Sequence, residues 1–282
     1  MLIGRSTTKN LSKRCLCAGV LDSNDLAVYC RHFMRIGETL AMVGSLQFGL
    51  SGPLDCHVYA LQGSQGLVLI DAGAGTHSQQ ILSNVASDLP GHPVTALILT
   101  HAHLDHCGGA ASIRKATSCT VIAPEPSKPI LETGDEEASG LRAARDQGVY
   151  PPGLRLAPCP VHTAVRDGET FSAAGLEFTA FHVRGHSRDA FCYLTRSLGS
   201  PWLFCGDVVF YGGVLGVINA EGSGMEGYRA DLCKLGGLDV EGLFPGHGLF
   251  TLRGGQRHLD CAIEQGRKGF LGRQIGQEGL LF

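Results

Sequence analysis

Short apolar runs separated by glycine-rich breaks recur along the chain, and their lengths predict strands in its first half. These runs are rich in Val, Leu and Ile, and most are four to eight residues long, which is typical of buried strands. The predicted strands cover 39–49, 55–62, 66–71, 96–99 and 119–122. Residues 77–88 instead carry apolar side chains at helical spacing, and a short helix is expected from Ala110 to Lys115.

The same succession of strands and helices returns after Asp167-Gly168. Predicted strands cover 169–172, 176–183, 190–195, 202–205 and 242–244, and predicted helices cover 226–235 and about 254–269. Two β-rich halves with helices beside them indicate an α/β fold. We therefore predict two sheets that pack face to face, with helices covering the outside.

Two regions differ from this pattern. Residues 124–158 are bracketed by prolines around a charged helical stretch, and they are too few to enclose a core of their own. We interpret them as a lid or cap inserted in a single domain that covers 36–282. Residues 1–35 form an N-terminal extension that begins with basic residues and no acid up to position 21, so it is expected to be a flexible arm or, as the weaker alternative, an organelle-targeting segment.

Composition narrows the classes of partner and compartment. The formal charge of −3 and the lack of a long Lys/Arg run argue against a nucleic-acid partner, and no apolar stretch approaches the roughly 20 residues of a membrane span. The eleven cysteines are odd in number and partly lie in apolar runs, which favours free thiols and a cytoplasmic location. The expected partner is a small-molecule substrate, and the apolar stretch 208–218 is interpreted as either a pocket wall or a homodimer contact.

The chemistry concentrates in the run His101-Ala102-His103-Leu104-Asp105-His106, which follows a predicted strand directly. His101 and His103 are two residues apart, so an extended backbone aims both imidazoles at one cation. Asp105 and His106 then offer an oxygen and a nitrogen to a second cation. A tight Gly108-Gly109 turn leads into the next helix.

Three further candidate ligands occur in matching contexts. His186, Asp207 and His247 each follow a predicted strand and a glycine, so each is expected at a strand end. A carboxylate such as Asp207 can bridge two cations at the separation of about 3.5–4 Å that two-metal catalysis uses.

The order His-x-His-x-Asp-His, Gly-His-Ser, Gly-Asp and Pro-Gly-His-Gly resembles the metallo-β-lactamase superfamily over about residues 38–262, in particular its glyoxalase II-like and lactonase-like branch. The resemblance implies an αββα sandwich of two mixed β-sheets. It also implies two divalent ions, most suitably Zn²⁺ with Fe or Mn as alternatives. By this likeness one ion is held by His101, His103 and His186, the other by Asp105, His106 and His247, with Asp207 bridging and Asp71 orienting a ligand histidine.

The implied activity is a metal-dependent hydrolase that uses ion-activated water to cleave an ester, lactone or thioester, with Asp105 as the catalytic acid–base residue. Tyr211 and Arg188 are candidate substrate contacts. Alternatives are a mononuclear iron oxygenase similar to persulfide dioxygenases, a β-lactamase as a minor alternative, and a non-catalytic protein that keeps the fold.

The remaining histidines, which belong to no motif, are predicted to be solvated: His57, His77, His92, His162 and His258.

Overall fold

A computed structural model describes residues 34–196 and 198–268. The predictions made for the N-terminal extension concern residues that lie, up to position 33, outside the described ranges. Among the described residues no helix is both long enough and apolar enough to cross a bilayer.

The first sheet has six strands in chain order, β1 to β6. They are β1 Leu40–Gly44, β2 Val58–Gly63, β3 Gly66–Ile70, β4 Val94–Ile98, β5 Thr120–Pro124 and β6 Thr163–Val165. The first three strands pair antiparallel, and β3 to β6 pair parallel, so the sheet is mixed. Because parallel strands need crossover connections, helices are forced onto the face of this sheet.

The second sheet has five strands in the order β13-β10-β9-β8-β7. They are β7 Thr170–Ala173, β8 Leu176–His182, β9 Phe191–Thr195, β10 Trp202–Gly206 and β13 Gly242–Pro245. Only β10 and β13 pair parallel, and the other pairs are antiparallel. A two-stranded hairpin of β11 Val209–Phe210 and β12 Val214–Leu215 follows β10.

Three apolar clusters show how the layers are stacked. The middle cluster joins side chains of both sheets, such as Leu40 and Tyr59 from the first and Phe178 and Phe204 from the second. Alternate residues of the same strands point to the opposite side, where they pack under helices in the two outer clusters. The architecture is therefore the predicted αββα sandwich of two mixed sheets.

The helices are short and lie mostly outside the sheets. They are α1 Ser78–Asp88, α2 Leu104–Cys107, α3 Ala110–Thr117, α4 Lys128–Thr133, α5 Leu141–Asp146, α6 Met225–Asp231 and α7 Gln256–Arg267, with 3-10 turns at Glu125–Ser127, Tyr211–Gly213 and Leu232–Leu235. In the 124–158 segment, the charged stretch predicted to be helical around 135–146 forms only the short helix α5 at its end, and α4 precedes it. The apolar stretch 208–218 contributes Val208, Val209 and Leu215 to the outer core beneath α6 and α7.

Candidate metal centre

The candidate ligands meet because strands of both sheets end at the same edge of the sandwich. Residues 101–106 follow β4, and Asp207 and His247 follow β10 and β13. Backbone hydrogen bonds join these ends: the amide of Phe191 donates to the carbonyl of Thr100 across the two sheets, and that of Gly246 donates to the carbonyl of Gly206 beside the β10–β13 pair. The ligand loops are thus fixed to each other by the sheets that carry them.

The first group consists of His101, His103 and His186. Nδ1 of His103 lies 3.0 Å from Nε2 of His101 and 2.9 Å from Nε2 of His186. Three nitrogens at zinc–nitrogen distances in tetrahedral geometry are separated by about 3.3 Å. The three imidazoles therefore already have nearly the spacing of ligands to one cation.

The second group consists of Asp105, His106, Asp207 and His247, whose ligand atoms all lie within 4.8 Å of one another. Oδ2 of Asp105 is 3.0 Å from Nε2 of His247, and Oδ1 of Asp207 is 3.3 Å from Nε2 of His106. Asp207 also reaches the first group, with Oδ2 at 3.6 Å from Nε2 of His186. This carboxylate thus lies between the two groups.

Two observations test whether these residues suit metal ions. Nε2 of His106 and Oδ1 of Asp207 are buried, and neither makes a hydrogen bond to any other part of the described chain. Burying such a polar atom costs free energy unless a hydrogen-bond partner or a bound ion interacts with it. The donors are imidazole nitrogens and carboxylate oxygens, which suit Zn²⁺, Fe and Mn alike. The residues fit divalent cations.

Asp71 orients histidines of both groups. Its Oδ2 accepts a hydrogen bond from Nδ1 of His106 at 2.8 Å, and its carboxylate also accepts from the backbone amide and hydroxyl of Thr100. Since the Thr100 hydroxyl donates to Asp71, Nδ1 of His101, 3.0 Å from it, must be the donor in that contact. In both histidines Nδ1 therefore carries a proton, and Nε2 is the ring nitrogen that faces the cluster.

His186 is oriented in the same manner by a backbone group. Its Nδ1 lies 2.6 Å from the carbonyl oxygen of Gly216, which can only accept, so Nδ1 carries the proton. Burial is the main reason that the pKa of His186 is lowered to about 4; the carboxylate of Asp207 opposes this shift and the imidazole of His103 adds to it. The Nε2 atom of this imidazole is therefore unprotonated at neutral pH and available to a cation.

His57 is a buried neighbour of the second group that the sequence interpretation missed. Predicted to be solvated, it is in fact 1% exposed. Its amide donates to the carbonyl of Gly246 at 2.7 Å and its Nε2 lies 2.9 Å from the carbonyl of Gly248, so it holds the backbone on both sides of His247. Burial lowers the pKa of His57 to about 3, which keeps it neutral.

Glycine is required at position 246 by close packing in the second group. A Cβ there would collide with the imidazole of His106 and with Oδ1 of Asp207. The Pro-Gly-His sequence thus reflects the narrow space between the strand end and the ligands.

Asp189 is a second residue that the sequence interpretation missed. This buried carboxylate accepts from the amide of Ala102 at 2.9 Å and from the hydroxyls of Ser127 and Ser187, both at 2.7 Å. It therefore joins the loop between His101 and His103 to the loop after His186. A motif search misses it because no sequence pattern links the partners.

The electrostatics of the second group are dominated by its acids. Burial opposes ionisation of Asp105, but the imidazoles of His106 and His247 outweigh it and hold the carboxyl pKa below its ordinary value. Burial likewise disfavours charge on His106, yet Cys56 and the surrounding carboxylates raise its pKa well above the usual range. The negative charge around His106 therefore stabilises a positive charge inside the buried cluster. A metal cation can supply this positive charge in place of the proton.

The remaining predicted residues lie outside the two groups. Tyr211 is 47% exposed and its ring packs on His258, while Arg188 forms an exposed ion pair with Glu221 at 2.6 Å. Tyr150 of the 124–158 segment, by contrast, contacts a candidate ligand side chain, because its hydroxyl donates to Oδ1 of Asp105 at 2.9 Å. Sequence reasoning did not single out this residue.

The chain is similar to known proteins in both sequence and fold. A profile described as "Metallo-beta-lactamase superfamily" matches residues 51–247, which include all seven candidate ligands. Two solved structures share the fold over 84% of the chain: a metallo-β-lactamase of Cronobacter sakazakii (TM-score 0.64, 20% identity, 92% of that chain) and a subclass B3 metallo-β-lactamase of Bradyrhizobium japonicum (TM-score 0.61, 22% identity, 91% of that chain).

Curated relatives at higher identity carry thioesterase and hydrolase names. An atrochrysone carboxyl ACP thioesterase of Aspergillus fumigatus is 29% identical over 68% of this chain. A hydroxyacylglutathione hydrolase of Pseudomonas aeruginosa is 30% identical over 44% of it. The matched region covers only 50% and 38% of the lengths of these two relatives.

Proposed function

The chain belongs to the metallo-β-lactamase superfamily, and from this premise we propose that it is a metal-dependent hydrolase whose preferred substrate is a thioester. Esters and lactones, which share the attacked carbonyl, are the wider substrate class. The proposed centre is dinuclear, with Asp207 bridging two divalent ions, of which Zn²⁺ suits the ligands best.

One observation carries this proposal: seven candidate ligand side chains from both sheets converge at one edge, with the carboxylate of Asp207 between two groups. A mononuclear oxygenase would hold one ion, so the metal count separates it from the proposed centre. The preference for a thioester rests on the names of the curated relatives, one an ACP thioesterase and the other a hydroxyacylglutathione hydrolase.

The chain's own residues supply orientation and proton transfer. When bound, the ions would polarise the substrate carbonyl and lower the pKa of water toward about 7. Asp71, Thr100 and the Gly216 carbonyl fix three histidines so that their Nε2 lone pairs face the site. Asp105 stays ionised at neutral pH, so it can accept a proton from the attacking water and pass it to the departing group.

Exposed apolar side chains close in sequence to residues of the centre support an acyl substrate. Val149, next to the Tyr150 that contacts Asp105, is 60% exposed, and Leu249, two residues after His247, is 59% exposed. Exposed apolar groups near a polar site are typical of substrate contacts. Tyr211, Arg188 and a homodimer formed through the stretch 208–218 remain predictions.

The proposal is tested by metal content and by substrate selection on the purified protein. We expect about two equivalents of metal per chain, and faster release of a free thiol from an acyl thioester than opening of a lactone or a chromogenic β-lactam. Asp105→Asn should reduce turnover by roughly 100-fold or more, the usual range for a lost acid–base group. Asp146→Asn, a matched change at an exposed position, should leave turnover unchanged.

Other results would point elsewhere. One iron per chain with oxygen uptake on a glutathione persulfide would replace the proposal with an oxygenase. Preferential β-lactam opening would replace it with a β-lactamase. Full thioesterase turnover in Asp105→Asn would remove the role given to that carboxylate.

A further inference from the structure

The 124–158 segment contacts the metal centre through a phenol. The hydroxyl of Tyr150 donates to Oδ1 of Asp105 at 2.9 Å. The other oxygen of that carboxylate, Oδ2, faces the second group, at 3.0 Å from Nε2 of His247 and 3.5 Å from Nε2 of His106. The two oxygens of Asp105 therefore have separate partners.

We propose that Tyr150 is a positioning residue that fixes the Asp105 carboxylate for the second metal ion and thereby couples binding of that ion to docking of the 124–158 segment. The inference rests on the proposed dinuclear centre. It assigns the segment a role in metal affinity that is separate from any role as a pocket wall.

The fold of the segment holds Tyr150 in place independently of Asp105. The amide of Val149 donates to the carbonyl of Ala144 at 2.9 Å, which continues the α5 turn toward the tyrosine. The guanidinium of Arg145 donates to the carbonyl of Leu154 and forms an ion pair with Glu136. The contact from Arg145 to Leu154 joins a residue before Tyr150 to one after it, so the folded loop holds the phenol in place.

The carboxylate of Asp105 has no comparable rigid support from its own loop. Its backbone is held, since its carbonyl accepts from the amide of Cys56 at 3.3 Å. The other partners of the side chain are the imidazoles of His106 and His247, which are candidate ligands themselves. Because the tyrosine takes Oδ1, it leaves Oδ2 as the oxygen that is directed at the cation.

The effect should be confined to one ion. The first group is oriented by other residues, namely Thr100 for His101 and the Gly216 carbonyl for His186. Loss of a hydrogen bond that orients a ligand usually costs about 10–100-fold in metal affinity. Removing the Tyr150 hydroxyl should therefore lower the affinity for the second ion by this factor and leave the affinity for the first ion unchanged.

Coupling between two sites is reciprocal. If docking of Tyr150 tightens the second ion, then that ion must in turn stabilise the docked segment. Arg142 and Arg155 of the segment are exposed, so trypsin can report whether the segment is docked. Metal should slow cleavage at these sites in the wild-type protein and should do so much less without the hydroxyl.

The test is a Zn²⁺ titration of the metal-free protein against a competing chelator, with no substrate present. The wild type should show two binding phases. Tyr150→Phe, which keeps the ring, should weaken only one phase by about 10–100-fold and should reduce the protection from trypsin by Zn²⁺. Glu137→Gln loosens an exposed ion pair with Arg142 inside the same segment without touching Asp105 or the contacts that close the loop around Tyr150, and its two phases should match the wild type.

Each outcome decides the matter. Unchanged phases in Tyr150→Phe, or equal weakening of both, would overturn the inference while the hydrolase proposal stands on the wild-type result. The same selective weakening in Glu137→Gln would reduce Tyr150 to a general stabiliser of the segment and overturn the inference as well. A wild type that binds fewer than two ions would refute the dinuclear centre itself and the inference with it.

Discussion

Replacing Asp71 by Asn tests how the two metal groups are oriented, because one carboxylate serves both. Asp71 accepts the Nδ1 proton of His106 directly and reaches His101 through the Thr100 hydroxyl. Asn has nearly the same size and tolerates the left-handed backbone found at this position, where φ is +63°. The change therefore removes charge and acceptor capacity with little steric effect.

The expected magnitude follows from the tautomers. A carboxylate can only accept, so it forces Nδ1–H on His106 and leaves Nε2 free for a cation. An Asn amide that donates to Nδ1 would shift the proton to Nε2, which then cannot bind metal. If the amide is rotated the other way, its NH₂ group faces the backbone N–H of Thr100 instead, and two donors meet. Either arrangement should lower the binding affinity for each ion by about 10–100-fold, or roughly 1.4–2.7 kcal/mol.

The assay is a chelator-competition titration that resolves the two binding phases, with melting temperature recorded as a check on folding. Asp55→Asn is the matched control, because Asp55 is a buried carboxylate that accepts from the amides of Gly52 and Ala74 and contacts no ligand histidine. It should lower the melting temperature and leave both phases in place. Unchanged phases in Asp71→Asn would refute the reasoning, and weakening of the His106 group alone would refute the connection through Thr100.

Two further predictions concern a neighbouring histidine and an ion pair. His57→Phe removes the contact to the Gly248 carbonyl, so the second metal phase should weaken by about 10-fold; an unaltered titration would exclude this supporting role. Burial opposes ionisation of Asp231, but Arg184 and Lys234 hold its pKa at about 2. Its stabilisation is therefore present above about pH 4 and lost as the pH falls toward 2, so Asp231→Asn should cost about 1 kcal/mol in urea unfolding at pH 6 and progressively less below pH 4. A constant deficit down to pH 2 would contradict this.

The features that the sequence predicted are those that depend on local order along the chain. Strand lengths, the helical spacing of 77–88 and the succession of ligands after strand ends are all local, and the two-sheet sandwich follows from them. The short strands β6 and β11–β12 have three and two residues, which is too short for a periodic signal. In the 124–158 segment, the helix predicted around 135–146 is longer than the observed α5, because a run of charged residues alone does not determine a helix.

The supporting residues escaped prediction because their partners are remote in sequence. His57 and Gly248 are 191 residues apart, and Asp189 and Ala102 are 87 apart. No pattern in one sequence indicates which polar side chain will meet which backbone amide across a sandwich. Tyr150 belongs to the same class, since its hydroxyl meets Asp105 over 45 positions of irregular chain.

The contacts between β2 and the last strand also bear on how the protein is made. The Tyr59 hydroxyl donates to the carbonyl of Pro245, 186 residues further along. At synthesis rates of roughly 5–20 residues per second, the ribosome needs about ten to forty seconds to supply that partner. During this interval the inner face of the first sheet emerges before all of the strands that cover it, so its apolar side chains need protection from aggregation until the last strand is made.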